Sequence, residues 1–454
     1  MFTKTTAVIA LTIVCSAARL TAQATPGGPA AGRDWSDRYK HMALSEDGKV
    51  WVGFGGALRE RFEGWNGFNF GFNPAARDAN FILTRALGSG DLHVGDNFRL
   101  FVQGKSAMVS DRILGRSNDA DQLAVQQAYA EARIPGSAGR ALQVRLGRME
   151  MTPGRERLVS ALDWANVRQT FDGASLTASA PDRSLTGFWT RPVLVKAYTS
   201  NIRDSATMLY GLYATQRLAG SNLGVDAYWM GLRKDANTIN GTTGRENRQT
   251  FGARAWGPVR PGSSRFDYDV EAALQTGTLG TKNIGANMIA SQAGYTFPQV
   301  HGAPRLYVGL DYASGDDSTG GDVQTYNLLF GNPHAYLGFE DVIGRPNAVD
   351  LSAGGTVKAW RELVAQFDVH RFSRVSAGDK IYNKLGGAIP GRTGTLSALP
   401  KAVGTEIDVT LRYPLNRHVL VAGGMSRFMP GAYINQSGPS ATITFGYTVL
   451  QLTL

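Results

Sequence analysis

The feature that most constrains the fold is a two-residue alternation of apolar and polar side chains, which recurs from residue 50 to the C-terminus. In one such segment, Phe98, Leu100 and Val102 alternate with Arg99 and Gln103. Because successive side chains of a β-strand point to opposite faces, each segment has one apolar and one polar face. After the N-terminal region, no stretch approaches the ~18 consecutive apolar residues of a membrane-spanning helix. The pattern predicts an all-β fold.

About eighteen of these segments can be placed, each close to the roughly ten-residue length of a tilted membrane strand. They begin near residues 50, 79, 97, 123, 140, 170, 184, 207, 222, 248, 265, 287, 304, 351, 361, 404, 416 and 440. Only helices and closed barrels satisfy every backbone polar group in lipid, and bacterial outer-membrane barrels have an even number of strands. A β-solenoid or a propeller would need repeats of fixed length, which the sequence lacks. We therefore predict a transmembrane antiparallel β-barrel of about eighteen strands.

The connections between these segments alternate between short and long. The short, turn-like connections are 95–97, 135–137, 181–183, 220–222, 258–264, 298–304, 360–361 and 414–416. The long, polar connections are 64–78, 109–122, 150–169, 197–206, 233–247, 278–286, 316–350, 374–403 and 429–439. Outer-membrane barrels have short periplasmic turns and long extracellular loops, so the termini are expected on the periplasmic side.

The N-terminal region has the features of a secretion signal. Lys4 precedes the apolar stretch 7–18, and the small residues at 21–24 suit a cleavage site. The sequence therefore predicts a signal peptide at 1–24, a lead-in rich in Pro and Gly at 25–49 that is mobile or lightly ordered, and a barrel at 50–454, placed in the bacterial outer membrane. The only cysteine, Cys15, lies in the predicted signal, so no disulfide framework is expected.

The charge distribution argues against nucleic acid as a partner. The chain has 47 Lys and Arg residues against 37 Asp and Glu, but its arginines are scattered, whereas a nucleic-acid binder gathers them on one face. In a barrel embedded in lipid, the charged face lines the lumen. A barrel of this size encloses a water-filled channel unless loops plug it. The predicted function is therefore permeation.

The predicted lumen charges are distributed unevenly. The basic side chains, on the first five strands and the tenth, are Arg59, Arg61, Arg99, Lys105, Arg133, Arg145 and Arg254. The acidic side chains, on later strands, are Asp267, Asp269, Glu271, Glu362, Asp368, Glu406 and Asp408, and Arg412 shares the face of the last two. Guanidinium groups bind carboxylates in a bidentate manner, which suits a polyanion that must enter the pore and leave again. Alternatively, these residues pair across the lumen and only brace the barrel. Arg85 and Arg148 would need a β-bulge to face inward, and Gly147 favours one at Arg148.

A series of short motifs occurs in a fixed order. These are Arg59–Glu63, Asp96–Gln103, Gln126–Tyr129, Leu146–Glu150, Gly154–Val159, Asp163–Arg168, Phe171–Gly173, Gly211–Tyr213, Ala313–Asp317, Leu328–Phe330, His334–Gly338, Asp368–Phe372 and Ser426–Gly431. In these motifs the chain resembles the alginate-export outer-membrane porins, from about residue 50 to the C-terminus. The resemblance implies an eighteen-stranded barrel with an arginine-rich constriction that passes an acidic polysaccharide outward, with loops as gates. It assigns the pore role to Arg59, Arg61, Arg99, Arg133, Arg145, Arg148, Arg155 and Arg157, with Glu131 and Asp163 as acidic partners.

Other chemistry has weaker support in the sequence. An outer-membrane hydrolase would need a base beside its nucleophile, and among the histidines only His334 lies in a long loop beside acids. The aspartates of 311–322 do not have the spacing of a calcium loop, and the sequence contains no zinc or nucleotide motif. We therefore expect no enzyme activity, no metal and no cofactor.

The sequence predicts a monomeric porin for an acidic polysaccharide, alginate-like export being the first choice. The alternative is a general or substrate-specific uptake porin for small anionic or sugar solutes. The expected partners are the saccharide, outer-membrane lipid and a periplasmic export partner. The long loops 316–350 and 374–403 would gate the pore.

Overall fold

The computed structural model describes residues 34–110, 119–218, 223–258 and 265–454. The predicted signal peptide, the first part of the lead-in and most of the 109–122 connection lie outside the described residues, as do the turn at 220–222 and most of the turn at 258–264. The described chain forms a closed antiparallel barrel of eighteen strands, as the alternation predicts.

The barrel strands are numbered here in chain order. They are β1 (Val50–Asn66), β2 (Ala79–Val94), β3 (Phe98–Val109), β4 (Asp121–Pro135), β5 (Ala141–Met149), β6 (Phe171–Ala180), β7 (Arg183–Leu194), β8 (Thr207–Arg217), β9 (Gly224–Ile239), β10 (Thr242–Pro258), β11 (Phe266–Leu279), β12 (Lys282–Thr296), β13 (Arg305–Ala313), β14 (Ala348–Trp360), β15 (Leu363–Arg374), β16 (Ala402–Pro414), β17 (Val419–Pro430) and β18 (Ile443–Thr453). Outside the barrel wall are two-residue strands at Met42–Ala43 and Ile202–Arg203, the helices α1 (Asp37–Lys40) and α2 (Ala432–Ser437), and 3₁₀ turns at Phe68–Gly71, Pro74–Ala76, Pro333–Ala335 and Leu396–Ala398. Among the described residues, no helix has the length and hydrophobicity to cross a membrane.

Each strand pairs with its neighbours in sequence, and the first and last strands close the sheet. The β1–β18 register runs from Ala57 opposite Thr453 to Asn66 opposite Thr444. Closure leaves no strand edge with unpaired backbone groups, which the hydrocarbon of a membrane requires.

The predicted strand starts lie within a few residues of the observed ones, but two predicted long loops are wrong. The connections 233–247 and 278–286 are tight hairpins, because β9 continues to a turn at Asn240 and Gly241, and β11 to a turn at Gly280. Asn240 and Gly241 both have positive φ (41° and 87°), as a type I′ turn demands. An Asn-Gly pair is the strongest short hairpin signal, but the strand ends that flank it are polar and lack the apolar alternation.

The apolar faces of the strands point outward. On β16, Val409 and Leu411 are 45% and 47% exposed, whereas the alternate residues Glu406 and Asp408 are buried inside the barrel. This distribution is the reverse of that in a water-soluble sandwich, and it is the one expected of a barrel whose outer surface meets lipid.

The residues just before the barrel pack against its short-turn end. His418 Nε2 lies 2.9 Å from Asp34 Oδ1, and Lys40 donates a hydrogen bond to the carbonyl of Leu454. Met42 pairs with Val52. Residues 34–43 therefore pack against this end of the barrel.

Two long loops fold into the barrel. The constriction loop (150–170) connects β5 to β6, and the second inward loop (314–347) connects β13 to β14. They pair with each other in the interior, since Ser160 N donates to Phe330 O (3.0 Å) and Phe330 N donates to Leu158 O (2.9 Å). Leu158 and Val159 are buried in a hydrophobic cluster with Phe171 of the barrel wall.

Candidate pore constriction

Two inward arginines of the first strands hold one end of the constriction loop by its backbone. Arg59 donates from Nη1 to Asp163 O (2.8 Å) and from Nη2 to Trp164 O (3.2 Å) and Ala165 O (3.1 Å). Arg85 donates from Nη1 to Asp163 O (2.9 Å) and from Nη2 to Asp163 Oδ1 (3.0 Å). Both side chains are buried. Arg85 lies opposite Arg59 in an unbroken register, so it faces inward without the bulge expected from the sequence.

Arg61 holds the same part of the loop from the next inward position of β1. It donates to the carbonyl of Trp164, and its guanidinium carbon lies 4.0 Å from the centroid of the Trp164 ring. Its Nη2 also pairs with Glu63 Oε1 at 2.8 Å. These arginines are therefore engaged in positioning the loop.

The first part of the constriction loop is fastened to a different part of the wall. Arg157 Nη1 lies 2.8 Å from Asp269 Oδ1 and 3.0 Å from Glu271 Oε2, both on β11. Arg254 of β10 joins this network through Asp269 (2.5 Å) and through Asp226 of β9 (2.8 Å). The loop therefore crosses the lumen from the β9–β11 wall to the β1–β2 wall.

The charges around Asp163 favour its ionised form. Burial by itself raises the pKa of the Asp163 carboxyl, but Arg85, Arg168 and Arg59 together hold that pKa well below its usual range. Arg168 lies 3.5 Å from Asp163 Oδ1 and 2.5 Å from Glu150 Oε2. A carboxylate thus stays charged beside Arg59, to which the family resemblance gives a pore role.

Arg99 and Arg145 form a second group, in which the guanidiniums keep partial exposure. Arg99 Nε lies 2.7 Å from Asp91 Oδ1, and Arg145 Nη2 lies 2.7 Å from Glu131 Oε2. Their guanidinium carbons are 5.6 and 4.3 Å from the centroid of the same Tyr129 ring. The two arginine side chains remain 17% and 23% exposed. They can therefore meet a passing anion while an acidic partner and an aromatic surface hold them in place.

The other predicted site residues have varied environments. Lys105 is buried in a 2.7 Å ion pair with Asp121. Arg155 of the constriction loop is 29% exposed, with Nη1 3.8 Å from Asp269 Oδ2. Arg133 and Arg412 share the inward-facing register of their strands and are exposed near the short-turn end.

The inward placement expected for Arg148 is wrong. Arg148 shares a strand face with Leu146, which is exposed on the outside of the barrel, and the register through Gly147 is continuous on both sides of β5. Its Nε lies 2.7 Å from Asp172 Oδ1 on the neighbouring strand. Gly147 does have an unusual φ of 133°, and a side chain there would meet Ala128 O, but it introduces no extra residue and hence no bulge.

Sequence reasoning missed the contact between Glu340 and the acids of β16. The backbone N of Glu340 donates to Glu406 Oε1 (2.9 Å), and Glu340, Glu406 and Asp408 are all buried. Neither Glu340 carboxyl oxygen has a hydrogen-bond partner among the described residues. His370 is the nearby base, with Nε2 3.9 Å from Asp408 Oδ2 and Nδ1 2.7 Å from Asp350. Within the described chain, no group of His, Cys, Asp or Glu side chains is arranged to hold a metal ion.

This acidic contact predicts that the second inward loop is held less firmly at higher pH. Burial and the neighbouring Asp408 raise the pKa of Glu340 well above its ordinary value of 4.5. The folded protein then binds a proton that the unfolded chain releases, so stability is full below about pH 4.5 and falls by ~1.4 kcal/mol per pH unit until the folded pKa is reached. We expect Glu340→Gln to raise the thermal unfolding temperature at pH 7.5 and to flatten its pH dependence. Glu362→Gln, an exposed control, should change neither, and a steeper pH dependence in Glu340→Gln would contradict this account.

His334, the histidine considered for catalysis, is packed into the constriction. Its ring stacks on Trp164 at 4.4 Å and meets the edge of Phe339 at 5.0 Å. Its Nδ1 lies 3.2 Å from Asp341, which also pairs with Lys384 at 2.5 Å. These contacts connect the constriction loop, the second inward loop and the 375–401 loop.

Comparisons with known proteins agree with this architecture. No curated protein sequence is significantly similar to the chain. Among solved structures, OpdO of Pseudomonas aeruginosa is similar at 14% identity and a TM-score of 0.60, with 89% of this chain and 97% of that chain covered. OccK2 (OpdF) of the same organism, solved in complex with glucuronate, is similar at 11% identity and a TM-score of 0.60, with 89% and 98% covered. At these identities the likeness establishes the fold, which is that of outer-membrane porins. The profile of the family described as "Alginate export" matches residues 50–447, nearly the whole barrel, and the chain therefore belongs to the alginate export family of outer-membrane channels.

Proposed function

We propose that the channel passes an anionic polysaccharide or oligosaccharide, with alginate-like export as the first choice. The observation that carries this proposal is the pair Arg99 and Arg145, inward-facing, partly exposed and stacked on Tyr129. A uronate unit offers a carboxylate to the guanidiniums, which the buried Tyr129 ring holds in place. Membership of the alginate export family supports the same substrate class.

The acidic partners of these arginines suit transit better than tight binding. Asp91 and Glu131 already accept hydrogen bonds from some of the N–H donors of Arg99 and Arg145. A passing carboxylate therefore binds only the remaining donors and is released again. Conduction requires this balance between favourable entry and ready exit. The constriction loop, fastened on both sides of the lumen, forces the substrate past the β3–β5 wall.

The runner-up is an uptake porin for small anionic or sugar solutes. The observation in its favour is the two-sided attachment of the constriction loop, through Arg157 to β11 and through Arg59 to its 163–165 segment, since a fixed loop suits single sugars more than a polymer. The two proposals differ in how block of the ionic current depends on the length of the added oligouronate. In a polymer exporter, long oligouronates block the current at a lower concentration than the monosaccharide does. In a small-solute porin, the monosaccharide blocks the current at the lower concentration.

The arginine pair predicts the ion selectivity of the pore. We expect Arg99→Gln combined with Arg145→Gln to shift the reversal potential in a KCl gradient towards cations and to weaken block by oligouronate, because Asp91 and Glu131 lose their arginine partners in the lumen. Planar-bilayer recording measures both quantities. The matched control is Lys49→Gln with Arg183→Gln, which removes two exposed charges outside the lumen. Unchanged selectivity in the Arg99 and Arg145 variant would remove the arginine pair from the proposal.

A further inference from the structure

A cavity of about 560 Å³ lies at the loop end of the barrel, apart from the constriction. The second inward loop, the outer loop (375–401, between β15 and β16) and the segment containing α2 enclose it. We call this cavity the loop pocket. Its lining includes Asp317, Ser318, Lys380, Thr395, Ser397 and Tyr433.

One buried arginine fixes both arms of the outer loop around the loop pocket. Arg374 Nη1 donates to Asp379 O (3.0 Å), and its Nη2 donates to Leu396 O (3.1 Å) and Leu399 O (2.6 Å). Its guanidinium carbon also lies 4.4 Å from the centroid of the Tyr433 ring. The walls of the cavity therefore have fixed positions relative to one another.

Backbone contacts join the remaining segments. Thr393 N donates to Ser437 O (2.7 Å), which attaches the outer loop to the end of α2. Gly378 lies so close to Asp317 that a Cβ at this position would be 1.9 Å from the Asp317 carbonyl oxygen. A preformed cavity of this kind binds ligands with little loss of conformational entropy.

Three polar side chains of the loop pocket are available to a ligand. In the part of the chain that the structure describes, the exposed Lys380 ammonium and the exposed hydroxyls of Thr395 and Ser397 make no hydrogen bond or ion pair. Tyr433 is fully buried against Arg374 and forms part of the cavity wall.

We propose that the loop pocket is a saccharide subsite, in which Lys380 pairs with the carboxylate of a uronate unit and the Thr395 and Ser397 hydroxyls bind its hydroxyl groups. Sugar hydroxyls both donate and accept, which matches this set, and the ion pair gives the acidic sugar its advantage over a neutral one. The volume is sufficient for a short oligosaccharide. The ligand class rests on the proposed function, and the subsite would select the substrate at the outer mouth of the channel.

The experiment measures binding of trigalacturonate to the purified full chain by calorimetry. Lys380→Met should weaken binding by about tenfold or more, the loss expected for one hydrogen bond to a charged group. Tyr433→Phe retains the ring against Arg374 and, because the hydroxyl is buried in the cavity wall, should bind normally. Lys49→Met, an exposed lysine at the short-turn end, is the control and should bind normally, and neutral maltotriose should bind weakly to every variant.

A local readout separates the loop pocket from the lumen. Trigalacturonate should slow the reaction of Ser397→Cys with a charged thiol reagent, and it should do so equally when Arg99 and Arg145 are both Gln. Lack of protection, together with unchanged binding in Lys380→Met, would overturn the subsite even if the channel has the proposed selectivity. Protection in a chain that fails to conduct would retain the subsite and overturn the proposed function instead.

Discussion

Replacing both Arg59 and Arg85 by alanine is expected to raise the single-channel conductance severalfold. These two arginines supply most of the hydrogen bonds that hold residues 163–165 against the β1–β2 wall. Each buried carbonyl left without a donor costs about 1–3 kcal/mol, which is enough to release this part of the loop. A released constriction loop no longer crosses the lumen, so the current through one channel increases and becomes noisier.

The control for this experiment removes two arginines of the short turns. Arg140→Ala with Arg183→Ala changes the net charge by the same amount but touches no inward loop, and its conductance should equal that of the original chain. Resistance of the folded barrel to heat in detergent shows whether each variant has folded. A correctly folded Arg59 and Arg85 variant with unaltered conductance would show that the loop is held elsewhere or does not limit the pore.

Arg157→Met is expected to be the most destabilising single substitution in the interior. It leaves the buried Glu271 carboxylate with only the Tyr228 hydroxyl, at 2.8 Å, and deprives Asp269 of one of its arginines. Breaking a buried ion pair in this way costs about 3–5 kcal/mol. Thermal unfolding and the rate of proteolysis within the constriction loop measure this loss.

Two comparisons make this prediction specific. Arg245→Met breaks an exposed pair with Asp235, 3.2 Å apart, and should cost at most about 1 kcal/mol. Adding Glu271→Gln to Arg157→Met removes the stranded charge, so the double variant should be more stable than Arg157→Met alone. Destabilisation that is simply additive would mean that the ion pair does not fasten the loop.

The fold could be predicted from the sequence because its physical cause is repetitive. In each strand the lipid-facing residues are apolar and the inner residues are not, so the alternation that places Val409 outside and Asp408 inside recurs around the barrel. The hairpin at Asn240 is also predictable from the sequence, because the Asn240-Gly241 pair specifies a type I′ turn. The bulge that the sequence predicts at Gly147 is wrong, because the register through this glycine is intact and Arg148 keeps the strand face of Leu146.

The constriction could not be predicted in the same way. Arg59 binds carbonyl groups more than one hundred positions away, the first of them 104 positions along the chain, and a backbone carbonyl has no signature in the side-chain sequence. Glu340 likewise contacts Glu406, 66 positions along the chain, through a backbone N–H. Apart from Arg148, the sequence therefore indicates which strand arginines face inward, but it does not show that a loop binds several of them.

The central claim is that the apolar face of each strand meets lipid and the polar face meets a wet passage. Single cysteines at neighbouring positions test it directly, because Cys15 in the predicted signal peptide is the only native cysteine. In proteoliposomes, a charged, water-soluble thiol reagent should label Gln103→Cys and Thr410→Cys and should spare Val102→Cys and Val409→Cys. Labelling at Val102 and Val409 with protection at Gln103 and Thr410 would mean that the apolar rows face water, and it would contradict the account.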